Sequence, residues 1–286
     1  MSRGYLILAQ NNRKEDYVKL AYALALSIKN SQSGVSKVCL ATNEKNAPDK
    51  YLDIFDHVTD IPWIDAAATS KWKIENKWKY YHMSPFDETV ILDADMLFPA
   101  DISHWWDVLS QRDIWITDKP RTFRGDIITS TKYRETFVAN ELPNVYTAFM
   151  YFKKTAMTAE LFELTEIIFN NWERFYYDFL DETRPKHLSG DVAYALAIKI
   201  LGIENECFGN LDSMPSFVHM KAHLQGINEK YITEDWPLHI PTYFSDDGTF
   251  KIGNYQQTLP FHYHIKSWLT DDMIQTLERR LDLCSR

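Results

Sequence analysis

An α/β architecture with a mostly parallel sheet flanked by helices is what this sequence predicts. Three observations point there. Apolar runs of strand length recur through the first 118 residues, and segments with helical spacing separate them. The 286 residues are 45% hydrophobic and 14% aromatic, enough to fill a large core and to exclude a disordered chain.

The elements follow in order. YLILA, residues 5–9, reads as a buried strand. In NNRKEDYVKLAYALALSIKNS, Asn12 is placed to cap a helix with Glu15 reaching back, and Val18, Ala21, Tyr22, Ala25 and Ile28 carry the apolar period. VCLAT (38–42) is a second strand, and HVTDIP, near residue 60, a third. SKWKIENKWKYYHM, residues 70–83, predicts a helix capped by Ser70, with Ile74, Trp78 and Tyr81 as its buried stripe. TVILDAD (89–95) is a fourth strand and DIWIT (113–117) another. DKPRTFRGD is a polar, basic loop, and NVYTAFMYFK (144–153) a strand. Residues 158–180 place Leu161, Leu164, Ile168, Trp172, Phe175 and Phe179 on one helical face. SGDVAYALAIKILG is a last helix stopped by Gly202. No repeat or linker divides the chain, so residues 1–286 are expected to form one domain with halves 1–118 and 119–286.

Composition narrows the function. A formal charge of −9 and a pI of about 5.5 give no global attraction to nucleic acid, so any such contact needs a local basic patch. Cys39, Cys207 and Cys284 match no metal or redox spacing and suit a reducing compartment. No signal-peptide core or membrane span is evident, which predicts a soluble cytoplasmic protein without a membrane partner.

Two carboxylates interrupt the fourth strand. Residues i and i+2 of a strand share a side, so Asp93 and Asp95 present their charges together where TVIL runs out, at the end of the sheet where α/β proteins bind ligands. Adjacent anions repel unless a cation lies between them, and a hard divalent ion, Mg²⁺ or Mn²⁺, fits. The plain alternative is an Asp-rich turn capping its own backbone.

Together these features resemble the GT-A fold of metal-dependent nucleotide-sugar glycosyltransferases, above all the glycogenin-type family 8. AQNNRKEDYVKLAYALALSI is similar to that family's first strand, base-binding loop and following helix, bearing Tyr17 and Ser27. KIENKWKYYHMSPFDETVILDADML and KIGNYQQT…FHY resemble glycosyltransferase-like proteins of tailed bacteriophages over nearly the whole chain. The resemblance implies a GT-A (Rossmann-like) fold and a hexosyl- or pentosyltransferase. Its donor would be a nucleotide-diphosphate sugar, a UDP-sugar in the first place, contacted by Gln10, Asn11, Tyr17, Lys77, Asp93 and Lys266. A Mn²⁺ or Mg²⁺ would be held by Asp93, Asp95 and His262.

Further roles carry over residue by residue. Lys77, ahead of the aspartates, takes the place of a lysine that approaches the diphosphate; a snorkelling surface lysine is the alternative. FHYHIKSW (261–268) resembles the family's closing His-x-x-Gly-x-x-Lys-Pro-Trp without its glycine and proline, so His264 rivals His262, while Lys266 and Trp268 match its lysine and tryptophan. Asp191, in SGDVAYALA, inherits a catalytic position near the transferred sugar; an aspartate favoured by the first turn of a helix is the alternative. Tyr146, Thr147 and Ala148 stand where the family has Asn-Ser-Gly, so sugar identity does not carry over. His219, Lys221 and His223 alternate as on a strand; a second metal cluster is the alternative, but without nearby carboxylates they read as structural or as diphosphate-side lining.

Retention of configuration and a cytoplasmic site of action, the host cytoplasm for a viral protein, are also implied. The leading acceptor is then a hydroxymethylated base in phage DNA, contacted by Lys119, Arg121 and Arg124 and by Trp72 and Lys79 on an outward helix face. A saccharide or protein acceptor, a haloacid-dehalogenase-like phosphatase and a non-catalytic nucleotide-sugar-binding module are the alternatives.

Overall fold

The computed structural model describes residues 1–71, 73–181, 183–209, 214–221 and 232–284. Strand β1 (Arg3–Leu8) leads into helix α1 (Tyr17–Ser31), β2 (Val38–Ala41), the short α2 (Asp49–Leu52) and β3 (His57–Thr59). A 3₁₀ turn at Lys77–Lys79 continues into α3 (Tyr80–Met83), followed by β4 (Glu88–Asp93), β5 (Met96–Leu97), α4 (Trp105–Leu109) and β6 (Ile114–Thr117). Then come α5 (Glu135–Ala139), β7 (Tyr146–Lys153), α6 (Ala156–Asn170), α7 (Trp172–Phe179), α8 (Gly190–Leu201) and α9 (Glu204–Cys207). Strands β8 (Val218–His219), β9 (Thr242–Phe244), β10 (Phe250–Ile252), β11 (Tyr255–Gln256) and β12 (Phe261–His262) precede α10 (Asp271–Cys284).

Six strands form the central sheet in the order β3-β2-β1-β4-β7-β6. The first four are parallel, and β7 runs antiparallel to both β4 and β6. This is the mixed, mostly parallel sheet expected. Successive residues of β1 feed opposite layers: Tyr5 and Ile7 pack with α1 and α4, Leu6 with α3, α6 and α8. Burial of such a side chain contributes about 1.5–3 kcal/mol. A small sheet, β5-β12-β8, stands beyond the carboxyl end of β4, and β9, β10 and β11 form an antiparallel sheet.

Four local expectations need correction. The helix after β1 starts at Tyr17 and is capped by Asp16, whose Oδ1 accepts from the Lys19 amide at 3.0 Å. Asn12 instead closes the preceding loop by accepting from the amides of Lys14 and Glu15. Residues 70–76 are not helical: Ser70 does accept from the Lys73 amide, but Lys73 has φ 57° and Asn76 is drawn into bonds with Gln10 and Asp65. The stretch 158–180 is two helices broken at Asn171 (φ −132°, ψ 28°), and Phe179 is exposed while Tyr176 turns inward. Lys79, expected on an outward face, is buried and donates to the carbonyls of Pro62 and Ile64. Gly202 ends α8 with φ 66°, the left-handed stop the sequence predicts.

Candidate active site

The carboxyl ends of β1 and β4 lie side by side, with Leu8 in register with Asp93. Strand β4 stops at Asp93, so Asp95 sits in the turn before β5 instead of continuing the strand. The two carboxylates accordingly meet different partners. Asp93 Oδ1 accepts from Lys77 Nζ at 2.6 Å. Asp95 Oδ2 faces His262 Nε2 at 3.0 Å and accepts from Lys266 Nζ at 2.7 Å.

The small sheet explains that second cluster. Strand β12 lies between β5 and β8, so His262 is in register with Met96 on one side and His219 on the other. The His219 and His262 rings stack with centroids 4.6 Å apart and planes 4° apart. His264, held at φ 62°, brings a third imidazole to the same place. Burial opposes the charge of Asp95, but His262 and Lys266 hold its carboxyl well below the usual range. Burial, with His262, Lys221 and Lys266 nearby, pushes His264 down to about 3 and leaves a neutral ring with a lone pair to offer.

These residues fit a divalent cation. Ligand atoms of Asp95, His262 and His264 all lie within 4.8 Å of one another. The buried His262 Nδ1 has no hydrogen-bond partner, a cost removed if the ring turns it to a ligand. One carboxylate with two imidazoles suits Mn²⁺ better than Mg²⁺, which prefers oxygen. Asp93, also predicted as a ligand, is not part of this group: His264 takes the third place, and the Asp93 carboxylate is on Lys77.

A third carboxylate stands near Lys77. Asp191, in the first turn of α8, accepts from the Thr147 amide (3.0 Å) and hydroxyl (2.7 Å) through Oδ1 and from Arg134 Nη1 (3.0 Å) through Oδ2. Burial disfavours its charge, while Arg134 and the Thr147 bonds lower its pKa. The helix start abuts Lys77: a Cβ on Gly190 would lie 3.6 Å from Lys77 Cδ, and the Tyr194 hydroxyl donates to the Lys77 carbonyl. Burial weighs against the Lys77 ammonium, but Asp93, with Tyr80 and Asp191, outweighs it and raises its pKa.

The other predicted residues take supporting positions. The Gln10 side chain is buried and committed at both ends, donating to Asp65 (2.8 Å) and accepting from Asn76 (2.7 Å). Asn11 Oδ1 accepts from the Val18 amide, and its own amide donates to Glu44. Tyr17 is half-buried with Lys266 Nζ 5.9 Å from its ring centre, and Trp268 packs against Tyr263 and Phe261. Ser27 is buried in the core, donating to Leu24 and accepting from the Phe98 amide. In the basic loop, Arg121 donates to the Gly125 carbonyl and Arg124 pairs with Asp126. Trp72 and His223 lie outside the described residues.

Arg134 is the residue that sequence reasoning missed. Its guanidinium lies between the rings of Phe137 (3.6 Å) and Tyr146 (4.0 Å) and reaches Asn144, Val145 and Asp191. No local pattern announces it, because Asp191 lies 57 residues away in sequence.

The sequence matches no known family model, and no curated protein matches it. Solved structures to which the chain is similar are glycosyltransferases. Mouse xyloside xylosyltransferase 1 aligns at 13% identity over 74% of this chain and 85% of its own, with a TM-score of 0.46. The glycosyltransferase GlyE of Streptococcus pneumoniae TIGR4 aligns at 10% identity and TM-score 0.48 over 98% of this chain, which spans 60% of GlyE. The galactosyltransferase LgtC, solved with donor and acceptor sugar analogues, aligns at 10% identity and TM-score 0.47 over 98% of this chain and 95% of its own. Likeness at this level carries no substrate or mechanism to the present chain.

Proposed function

We propose that the chain is a metal-dependent glycosyltransferase that moves a sugar from a nucleotide-diphosphate sugar, a UDP-sugar in the first place, to an acceptor hydroxyl with retention of configuration. The observation that carries this reading is the convergence of Asp95, His262 and His264 with two lysines at the carboxyl end of β4. When bound there, Mn²⁺ would supply Lewis-acid stabilisation of the phosphate charge that grows as the glycosidic bond breaks. Lys77 and Lys266 bring ammonium groups to the same leaving charge. Asp191, oriented by Thr147 and kept ionised by Arg134, offers a carboxylate to a positively charged sugar in the transition state. We assign the nucleotide to the loop that carries Asn11 and to Tyr17 at the start of α1, with Gln10 bracing that loop through Asp65 and Asn76.

The proposed acceptor is a hydroxymethylated base in DNA, supported by the loop bearing Arg121 and Arg124. Lys79 adds nothing to that surface. Duplex binding that weakens steeply with salt tests this acceptor, and no binding at low salt removes it.

Hydrolysis of nucleotide-sugars, followed with and without Mn²⁺, tests the reaction itself. Turnover should need the ion and should vanish in Asp95→Ala. Metal-independent turnover, or an active Asp95→Ala protein that binds Mn²⁺ normally, refutes the metal site. Nucleotide-sugar binding with no turnover on any acceptor would leave a binding module.

A further inference from the structure

Lys221 lies two residues beyond the end of β8, close to the sheet that carries the imidazoles: the preceding residue, Met220, donates its amide to the His262 carbonyl at 3.0 Å. Its ammonium sits over the face of Tyr133, 3.6 Å from the ring centre. Among the described residues no oxygen accepts a hydrogen bond from it. That sets it apart from the other cations of the cleft. Lys77 has Asp93, Lys266 has Asp95, and Arg134 has acceptors for Nε, Nη1 and Nη2.

An ammonium carries three donors, and Lys221 is only partly covered, so in the free protein its donors are left to water and to the ring face of Tyr133. Two carboxylates, Asp191 and Asp95, attract Lys221, while Arg134 and Lys266 repel it. Burial and those cations together press its pKa down to about 8. Such a group gains most from an anion delivered with its own oxygens, since the new bonds are charge-assisted and form in partial shelter from water.

Resting on the reading above, we infer that Lys221 is a third anion-binding residue of the site, receiving an oxyanion of the bound nucleotide-sugar beside the His262 strand and the Tyr133 ring. Two parts of such a donor carry that chemistry: the terminal phosphate of the diphosphate, and the carboxylate of an acidic sugar.

Calorimetric titration of UMP, UDP, UDP-glucose and UDP-glucuronic acid, each with Mn²⁺, into the wild type, Lys221→Met and Lys221→Arg separates them. If the phosphate is the partner, Lys221→Met loses about tenfold or more of its affinity for UDP but not for UMP. If the sugar carboxylate is the partner, the wild type favours UDP-glucuronic acid over UDP-glucose and Lys221→Met abolishes that preference. Lys221→Arg should recover part of either effect. Without ligand, Lys221→Met should melt close to the wild type, since no oxygen of the described residues loses a hydrogen bond. Equal affinities in wild type and Lys221→Met for all four ligands, or a lower melting point with unchanged affinities, overturn the inference alone. A wild type that binds none of them removes the proposed function and the inference with it.

Discussion

Replacing Arg134 by methionine is the sharpest test of how the cleft is built. The guanidinium makes a 3.0 Å bond to Asp191 and a 2.8 Å bond to Asn144, and only 8% of its side chain is exposed, against 28% for Asp191. Methionine keeps apolar volume between Phe137 and Tyr146, so little cavity cost is added. What is lost is the counter-charge of a largely buried carboxylate, and removing one partner of a buried pair costs about 3–5 kcal/mol. Because Asp191 keeps both Thr147 bonds and some contact with water, the low end, about 3 kcal/mol, is expected. At roughly 2–4 °C per kcal/mol, the melting point should fall by about 6–12 °C. The acid limb should move as well. The folded-state pKa of Asp191 lies below its ordinary value, so its stabilisation is complete above the ordinary carboxylate range and fades as pH falls through the folded value. Without Arg134 that contribution shrinks, and denaturant midpoints of mutant and wild type should converge in acid. A double-mutant cycle with Asp191→Asn should return a coupling of about 2 kcal/mol or more. A cost under about 1 kcal/mol, or additive single mutations, would show that the pair does not hold the carboxylate in place.

Three further outcomes follow from the same structure. Gly4→Ala would set a Cβ 2.4 Å from the buried Phe86 ring, so urea unfolding should register a loss of about 1–3 kcal/mol; an unchanged midpoint would mean the ring moves freely. Asp65→Ala leaves Gln10 and Asn76 donors without their acceptor, and should cost about 1–3 kcal/mol and loosen the loop after β1, seen as faster amide exchange at residues 10–12. Burial pushes the Cys39 thiol up to about 11 and that of Cys207 to about 12, so neither should react with a disulfide reagent at pH 8 in the native protein, while both should in denaturant. Prompt native labelling of either, mapped by peptide mass, would contradict their burial.

Much of the fold was legible because it rests on short-range pattern. The strands of the central sheet other than β3 are apolar runs bounded by polar residues, and α8 announces both of its ends with Ser189 and Gly202. The failures occur where tertiary bonds outbid local preference. Residues 70–76 have helical spacing and even form the Ser70 bond, yet Asn76 gains more from Gln10 and Asp65 than from another turn of helix. Lys79 looked exposed by its charge, but two carbonyls from residues 62 and 64 satisfy it inside. At the site, the Asp-x-Asp pair and the closing His-Lys segment were visible as motifs. Arg134 was not, since its role exists only once α8 and β7 bring Asp191 and Tyr146 to it. Asp95 was located correctly along the chain but not in conformation, because ending β4 at Asp93 sends the two carboxylates to separate partners.

That separation bears on how the proposed reaction is set up. Without ligand, Asp93 is neutralised by Lys77 and Asp95 by Lys266, so neither charge stands uncompensated in a partly buried cleft. A diphosphate competes for the lysines with the carboxylates, and any lysine it captures frees a carboxylate oxygen. Entry of the anion alone would therefore leave aspartates unpaired, and entry of a dication alone would displace ammonium groups into one another's field. Arrival of both lets Lys77 and Lys266 change partners while the charge balance of the cleft is preserved. The pairs also come from separate parts of the chain, Lys77 ahead of β4 and Lys266 beyond β12, so the exchange requires no movement of the central sheet. Donor and cation should for this reason bind with positive cooperativity, each raising the other's affinity by the same factor. Titrating nucleotide at several Mn²⁺ concentrations measures that factor directly, and independence of the two affinities would break the argument.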